Sequence, residues 1–385
     1  MESILKFLFI LCVFLFLYNY FIYPFVIVVF SRIIPDNHLE EINEFEEYPT
    51  VSFIVAAYNE ETVIRDKIIN TLKIDYPAEK FKLIIVTDGS DDSTPDIVKE
   101  YSGEGIVCLH EDKRSGKSAA LNRAVEISDG EILVFSDANN DFEEQSVKNL
   151  VKHFSDENIG AVTGAKHIYE NNDREASKGD GLYWRYESKI KAAESHLGSI
   201  TAAEGEILAV RKSMFKPIAP GKINDDAAIT FDIVKSGSRI LYEQEAKAYE
   251  QASKNLVDDL HVKIRMTQGG FQTMADEKGF LFPPLNWFAF TFVSHKVLRW
   301  LTPHLLILIF LLSISLMVKP VFFLLLILQV LFYSVSFYGW INRSKELPGY
   351  IYIPMYFTSM NIALFLGFIK YLKNEQGVNW RKAER

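Results

Sequence analysis

"LIIVTDGSDDSTPDIV", residues 83–98, joins an unbroken apolar run to a cluster of acids and hydroxyl side chains and then to a helix signal. A short apolar run bounded by turn residues reads as a strand buried on both faces, as in parallel sheets covered by helices. Asp88 then stands at the carboxyl end of that strand, with Asp91 and Asp92 beside it although like charges repel. Ser93 or Thr94 can cap the next helix, and Pro95 fits its first turn because the missing N–H would have no partner there. Open sheets of this kind bind ligands just beyond the carboxyl ends of their strands, so the acidic tip marks a ligand site.

The same alternation extends both ways. "TVSFIVA" (50–56) is a second buried strand, and "NEETVIRDKIINTL" (59–72) follows with acids in its first turn and Ile64, Ile68 and Leu72 at helical spacing. "GIVCLH" (105–110), the helix "SAALNRAVEIS" (118–128), "EILVFSD" (131–137) and the helix "SVKNLVKHF" (146–154) continue it. Strands alternating with helices predict an α/β fold, a doubly wound open sheet, over residues 49–280. Longer strands and helices from about residue 161 follow without a Pro/Gly/Ser-rich linker, so this region reads as one domain.

The flanks differ. Residues 1–33 hold an apolar stretch longer than the ~20 residues that span a bilayer, with neither the short core nor the cleavage site of a signal peptide. Residues 302–372 hold two to three further spans, Thr302–Val318, Pro320–Ile341 and a Tyr350–Leu372 segment interrupted by Pro354. Between domain and spans, residues 285–300 place Phe290, Val293, Val297 and Trp300 on one helical face and His295, Lys296 and Arg299 elsewhere, the pattern of a helix in the membrane interface. A basic tail, 373–385, ends the chain. Arg32 after the first span puts the middle domain in the cytoplasm, beneath a plasma (inner) membrane, by the positive-inside rule. A net charge of −9 excludes nucleic acid as a partner, which demands a basic face. Cys12 and Cys108 imply no disulfide framework.

Three strand ends carry groups suited to a nucleoside diphosphate: "AAYNE" (56–60), "TDGSDDST" (87–94) and "SDANND" (136–141). Tyr58 can cover a base, Asp88 can accept an imide hydrogen, and Asp137 can reach a ribose or a bound cation. Any one of these is most often a helix cap; three at equivalent strand ends are not. "EDKRSGKSAALNRA" adds Lys113, Arg114 and Lys117 before a helix N-terminus, a phosphate site by charge and dipole, without the Gly spacing of a Walker A loop.

"AAYNE", "TDGSDDST", "GKSAALNRA" and "SDAN", in this order, resemble the family 2 inverting glycosyltransferases, the membrane-bound group that includes cellulose, hyaluronan and poly-N-acetylglucosamine synthases. The resemblance covers roughly residues 49–274 and implies a GT-A type fold flanked by transmembrane helices. It further implies a UDP-sugar donor, Mg2+ or Mn2+, a lipid-linked or polysaccharide acceptor, membrane lipids as surroundings, and inversion by direct displacement. It assigns donor contacts to Ala56, Tyr58, Glu60, Asp88, Lys117 and Asp137. Asp137 matches the first acid of the Asp-x-Asp metal motif; Asn139 stands at the second, where a carbonyl can ligate but adds no charge, with Asp141 as an assisting acid. "KINDDAAITFDIV" (222–234) matches the segment carrying the catalytic base, with Asp226 as base and Asp225 as supporting acid. Arg265 in "HVKIRMTQGGFQ" matches the Arg of the QxxRW element, whose Gln and Trp positions hold Val262 and Met266, so the aromatic platform of long-polymer synthases is lost. These departures keep open a silent nucleotide-binding subunit of an assembly complex, and a third reading is a different nucleotide-sugar enzyme, a nucleotidyltransferase or a dehydrogenase. A dehydrogenase would need a GxGxxG turn after the first strand, which is absent.

Overall fold

The computed structural model describes residues 1–35, 45–103, 105–169, 175–251, 256–281 and 286–375. Helix α1 (Glu2–Ile33) opens the chain. Strand β1 (Val51–Ala57), helix α2 (Ile64–Thr71), β2 (Phe81–Asp88), α3 (Thr94–Glu100), β3 (Ile106–Glu111), α4 (Lys117–Ile127) and β4 (Ile132–Asp137) follow the expected alternation. Beyond them come β5 (Asn140–Phe142), α5 (Ser146–Val151), β6 (Ile159–Ile168), α6 (Glu175–Leu197), β7 (Ile207–Arg211), α7 (Asp225–Lys235), β8 (Arg239–Glu250) and α8 (Leu256–Asp276). Helices α9 (Trp287–Ser315), α10 (Pro320–Ile341) and α11 (Gly349–Leu372) complete the described chain.

Among the described residues one sheet of eight strands runs β3-β2-β1-β4-β7-β6-β8-β5. Strands β1 to β4 are mutually parallel, whereas β7 enters antiparallel between β4 and β6, so the sheet is mixed. Register then fixes the site: Ala57 pairs with Thr87 and Ala56 with Asp137, which brings Tyr58, Asp88 and Asp137 to one rim. Strand periodicity of two splits the core. Phe53, Val55 and Ala57 pack with Ile64 and Ile68 of α2 on one face, while Ile54 packs with Leu121 and Ala124 of α4 on the other. Each fully buried Phe, Val, Ile or Leu among them contributes about 1.5–3 kcal/mol of transfer free energy.

Among the described residues four helices, α1, α9, α10 and α11, are long and apolar enough to cross a membrane. The interfacial helix expected at 285–300 and the span expected from Thr302 form one helical run, α9, and Pro354 lies inside an unbroken α11. Phe9 and Cys12 of α1 meet Ile309 and Leu316 at the α9 end, while Tyr23 and Ile27 meet Ile190 and Ala193 of α6. A widened turn at Val293–Val297 carries His295 into this junction. His295 Nδ1 lies 2.7 Å from Glu194 and Nε2 3.1 Å from Glu187, Arg299 Nη1 donates to Glu187 at 2.6 Å, and Lys296 also pairs with Glu187. The polar side of α9, which sequence spacing left without a partner, is thus spent on α6 acids. Burial alone would raise Glu187, but Lys296, His295 and Arg299 beside it overcome that and hold its carboxyl well below the usual carboxylate range.

Candidate active site

At the rim, the acids of the opening stretch divide their work. Asp88 Oδ2 accepts the N–H groups of Ser115 and Gly116 at 2.9 and 2.6 Å, and Oδ1 accepts Arg123 Nη2 at 2.6 Å. Asp91 and Asp92 stitch the β1 and β2 loops together: Asn59 Nδ2 donates to Asp91 at 2.6 Å, and the Glu61 and Thr94 N–H groups donate to Asp92 at 3.2 and 2.9 Å. Donors of the fold itself therefore balance the crowded charge. Gly89 lets the loop cross here. Its φ is +68°, and a Cβ would stand 2.5 Å from Arg114 N.

Asp88 thereby fixes residues 115–116, and just before them the Arg114 guanidinium lies 3.6 Å from the Tyr58 ring centroid. Arg114, which the sequence offered for phosphate, forms with Tyr58 a flat aromatic and cationic wall suited to a base. A cleft of 250 Å³ opens beside it, lined among others by Ala56, Tyr58, Asp88, Lys117, Asp225 and Arg265. Glu60 does not line it; Glu60 is buried, and its N–H donates to Thr94 at 2.8 Å.

Lys117, at the first position of α4, joins the remaining acids. Its ammonium lies 2.8 Å from Asp137 and 3.3 Å from Asp225. Burial would lower this lysine, yet Asp137 and Asp225 hold it above its ordinary value and so protonated. Arg265 of α8 is drawn down by burial but is held against that by Asp225, Asp137 and Asp226. A guanidinium remains charged in any case.

Asp225 and Asp226 open α7, where the helix dipole favours anions. The Ala227 N–H donates to Asp226 Oδ1 at 2.7 Å. Gly205 lets β7 approach: a Cβ there would lie 3.1 Å from the Asp226 Cβ. Burial and the charges of Asp225 and Glu204 push Asp226 up to about 7, against the Ala227 N–H and Lys117. A carboxylate held near neutrality takes a proton more readily than an ordinary one.

Asn139 Nδ2 donates to Glu250 at 3.0 Å, and Asp141 accepts the Tyr169 hydroxyl at 2.9 Å. Lys166 pairs with Glu250 and lies 2.9 Å from Glu206. Beneath this loop the fully buried Lys67 donates to the Asn140 carbonyl and side chain at 2.8 and 2.9 Å, and burial lowers it to about 7 despite Asp141, Asp137 and Glu206. Sequence reasoning missed Arg123, Lys67 and Glu204, whose partners lie 35, 73 and 13 residues away. Lys67 carried a signal, a lysine on the apolar face of its helix beside Ile64 and Ile68.

The model of the family "Glycosyl transferase family 2" matches residues 52–218. A β-monoglucosyldiacylglycerol synthase of Nostoc sp. is 28% identical over 256 residues, 65% of this chain and 54% of that protein. A poly-β-1,6-N-acetyl-D-glucosamine synthase of Staphylococcus aureus is 26% identical over 245 residues, 62% of this chain and 58% of that protein. The chain thus matches little more than half the length of these curated relatives. A mannosyltransferase of Pyrobaculum calidifontis, solved with GDP-Man and Mn2+, superposes with a TM-score of 0.71 at 21% identity, covering 96% of this chain and 99% of that one. That likeness establishes the shared fold, the GT-A type with its flanking helices.

Proposed function

We propose, for a chain that carries a family 2 glycosyltransferase domain, that it transfers a sugar from a UDP-sugar to a lipid-linked or polysaccharide acceptor with inversion at the anomeric carbon. The observation that carries this reading is the half-buried Asp226 at the start of α7, beside the Lys117 bridge between Asp137 and Asp225. In the transfer, Asp226 takes the proton of the attacking hydroxyl as the new bond forms on the face opposite the leaving diphosphate. Asp225 holds Lys117, and Lys117 and Arg265 offer positive charge to the diphosphate as it departs. Tyr58 and Arg114, stacked on each other, form the wall of the cleft against which the base lies.

Asp137 and Asp225 converge on one cationic nitrogen, so the residues fit a hard cation there. Asp137 would be its protein ligand, while Asn139 is engaged with Glu250. Among the described residues no group of three Asp, Glu, His or Cys side chains is gathered as a cage, which suits Mg2+ or Mn2+ held largely by the diphosphate. Such an ion neutralises charge on the leaving group. Arg32 in the last turn of α1 supports a cytoplasmic placement of the domain.

Nucleotide release from UDP-glucose, UDP-N-acetylglucosamine, UDP-galactose and GDP-mannose by membranes carrying wild-type protein or Asp226→Asn tests the proposal. Turnover of at least one UDP-sugar is expected, lost by more than about a hundredfold in the variant. Equal rates overturn the role of Asp226. UDP binding without turnover of any donor identifies a silent subunit, and turnover of GDP-mannose alone overturns the nucleotide assignment.

A further inference from the structure

Apart from the reaction cleft, a shallow, open groove of 460 Å³ lies between α2 and the β5–β8 edge of the sheet. Its wall is an aromatic ladder. Tyr249 stacks on His167 at 5.2 Å and on Tyr169 at 5.3 Å, with planes 25° and 29° apart. Tyr169 keeps 37% of its surface exposed, so ring surface stays open to a ligand. The Tyr169 hydroxyl donates to Asp141 Oδ2 at 2.9 Å and the Tyr249 hydroxyl to Glu143 Oε1 at 2.7 Å, which locks the rings in place. A carboxylate has about four acceptor sites, so both acids retain capacity for further hydroxyl donors. Asp66 lines the opposite wall from α2.

We propose that this groove is a second saccharide site, holding one or two rings of a neutral or amino sugar from the acceptor or product glycan. The argument is chemical. A pyranose presents an apolar C–H face that suits an aromatic ring and a rim of hydroxyls that suits carboxylates, and both surfaces are preorganised here. Asp66, Asp141 and Glu143 face Lys73 in the lining and Lys247, 3.6 Å from Glu143, so the groove is acidic and disfavours phosphates and uronic acids. It is also tied to the chemistry, since Asp137, which pairs with Lys117 of the reaction cleft, lies four residues before Asp141, which lines the groove. The aromatic platform missing at Met266 thus has a counterpart elsewhere on the domain. This inference rests on the proposed function for the presence of a glycan, so its test reads binding rather than turnover.

Full-length protein in detergent, saturated with UDP and Mn2+, is titrated with cellotetraose, chitotetraose, its deacetylated form and tetragalacturonate, with saturation-transfer NMR as readout. At least one neutral or amino tetrasaccharide is expected to bind in the presence of UDP. Tyr169→Ala is expected to weaken it by about tenfold or more, leaving UDP affinity unchanged, and Tyr169→Phe to weaken it less. Tyr169 is the test position because its exposure makes misfolding a poor explanation of any loss. Absence of binding, competition by UDP, preference for tetragalacturonate, or an unaffected Tyr169→Ala variant each overturns the proposal. A protein that releases UDP yet binds none of these sugars overturns the groove alone and leaves the transfer reaction standing.

Discussion

Replacing Lys117 with Met removes the one ammonium that bridges Asp137 and Asp225. At its 2.8 Å separation from Asp137 and an effective dielectric of about 20, the gross attraction is about 6 kcal/mol. Much of that is offset by desolvation, and cutting a buried pair costs about 3–5 kcal/mol. Lys117 keeps 20% of its side chain exposed, so the lower end, about 3 kcal/mol, applies. If Lys117 offers its charge to the departing diphosphate, the loss of one preorganised transition-state donor, also about 3 kcal/mol, lowers kcat/KM by about 150-fold, with a larger share in kcat than in KM. The change has a second signature. Lys117 opposes the upward push on Asp226, so its loss moves the acid limb of the rate profile to higher pH. The assay is UDP release by purified protein across the pH range at saturating Mn2+, with Lys117→Arg as a variant that retains charge and recovers part of the rate. Activity within about threefold of wild type together with an unmoved acid limb would refute the placement of Lys117 in the reaction.

Further outcomes follow from the same geometry. Arg114→Ala removes the cation from the Tyr58 ring and should weaken UDP binding by about three- to thirtyfold, measured by calorimetry, with little change in kcat. Gly205→Ala brings a Cβ to 3.1 Å from the Asp226 Cβ and should lower kcat more than it raises KM. Equal effects on both would place the strain elsewhere. Lys67, lowered to about 7 by burial, is neutral in the folded protein where the unfolded chain still binds a proton, so its contribution to stability rises with pH from about 7 towards its ordinary value. The difference in Tm between wild type and Lys67→Met should change in that window, and a constant difference would contradict the buried neutral form. Glu187→Gln leaves His295, Lys296 and Arg299 short of their shared carboxylate and should destabilise the junction by about 3 kcal/mol, read as loss of Tm in detergent.

The parts legible in the sequence were those set by local chemistry. Strand β2 and its acidic end could be read because apolar runs and turn residues act over a few positions, and the sheet register carried Tyr58, Asp88 and Asp137 to one rim. What the acids do there was not legible, because their partners come from distant elements. Asp91 and Asp92 look like ligand-facing charge until Asn59 and Glu61 supply donors, and Asp88 serves the 115–116 backbone and Arg123. Asn139 and Asp141, read as cation ligands, are drawn to Glu250 and Tyr169 because β8 and the end of β6 lie beside them. Composition also divided α9 in two at residue 300, since His295, Lys296 and Arg299 look like a solvent-facing surface until α6 provides the carboxylates that bury them.

The most direct test of the central claim is the pH dependence of kcat/KM for the preferred UDP-sugar. A base of pKa about 7 must be deprotonated to act, so the rate should fall tenfold per pH unit below about 7 and the limb should vanish in the residual activity of Asp226→Asn. A profile that stays flat down to pH ~5, the range of an ordinary carboxylate, would contradict it.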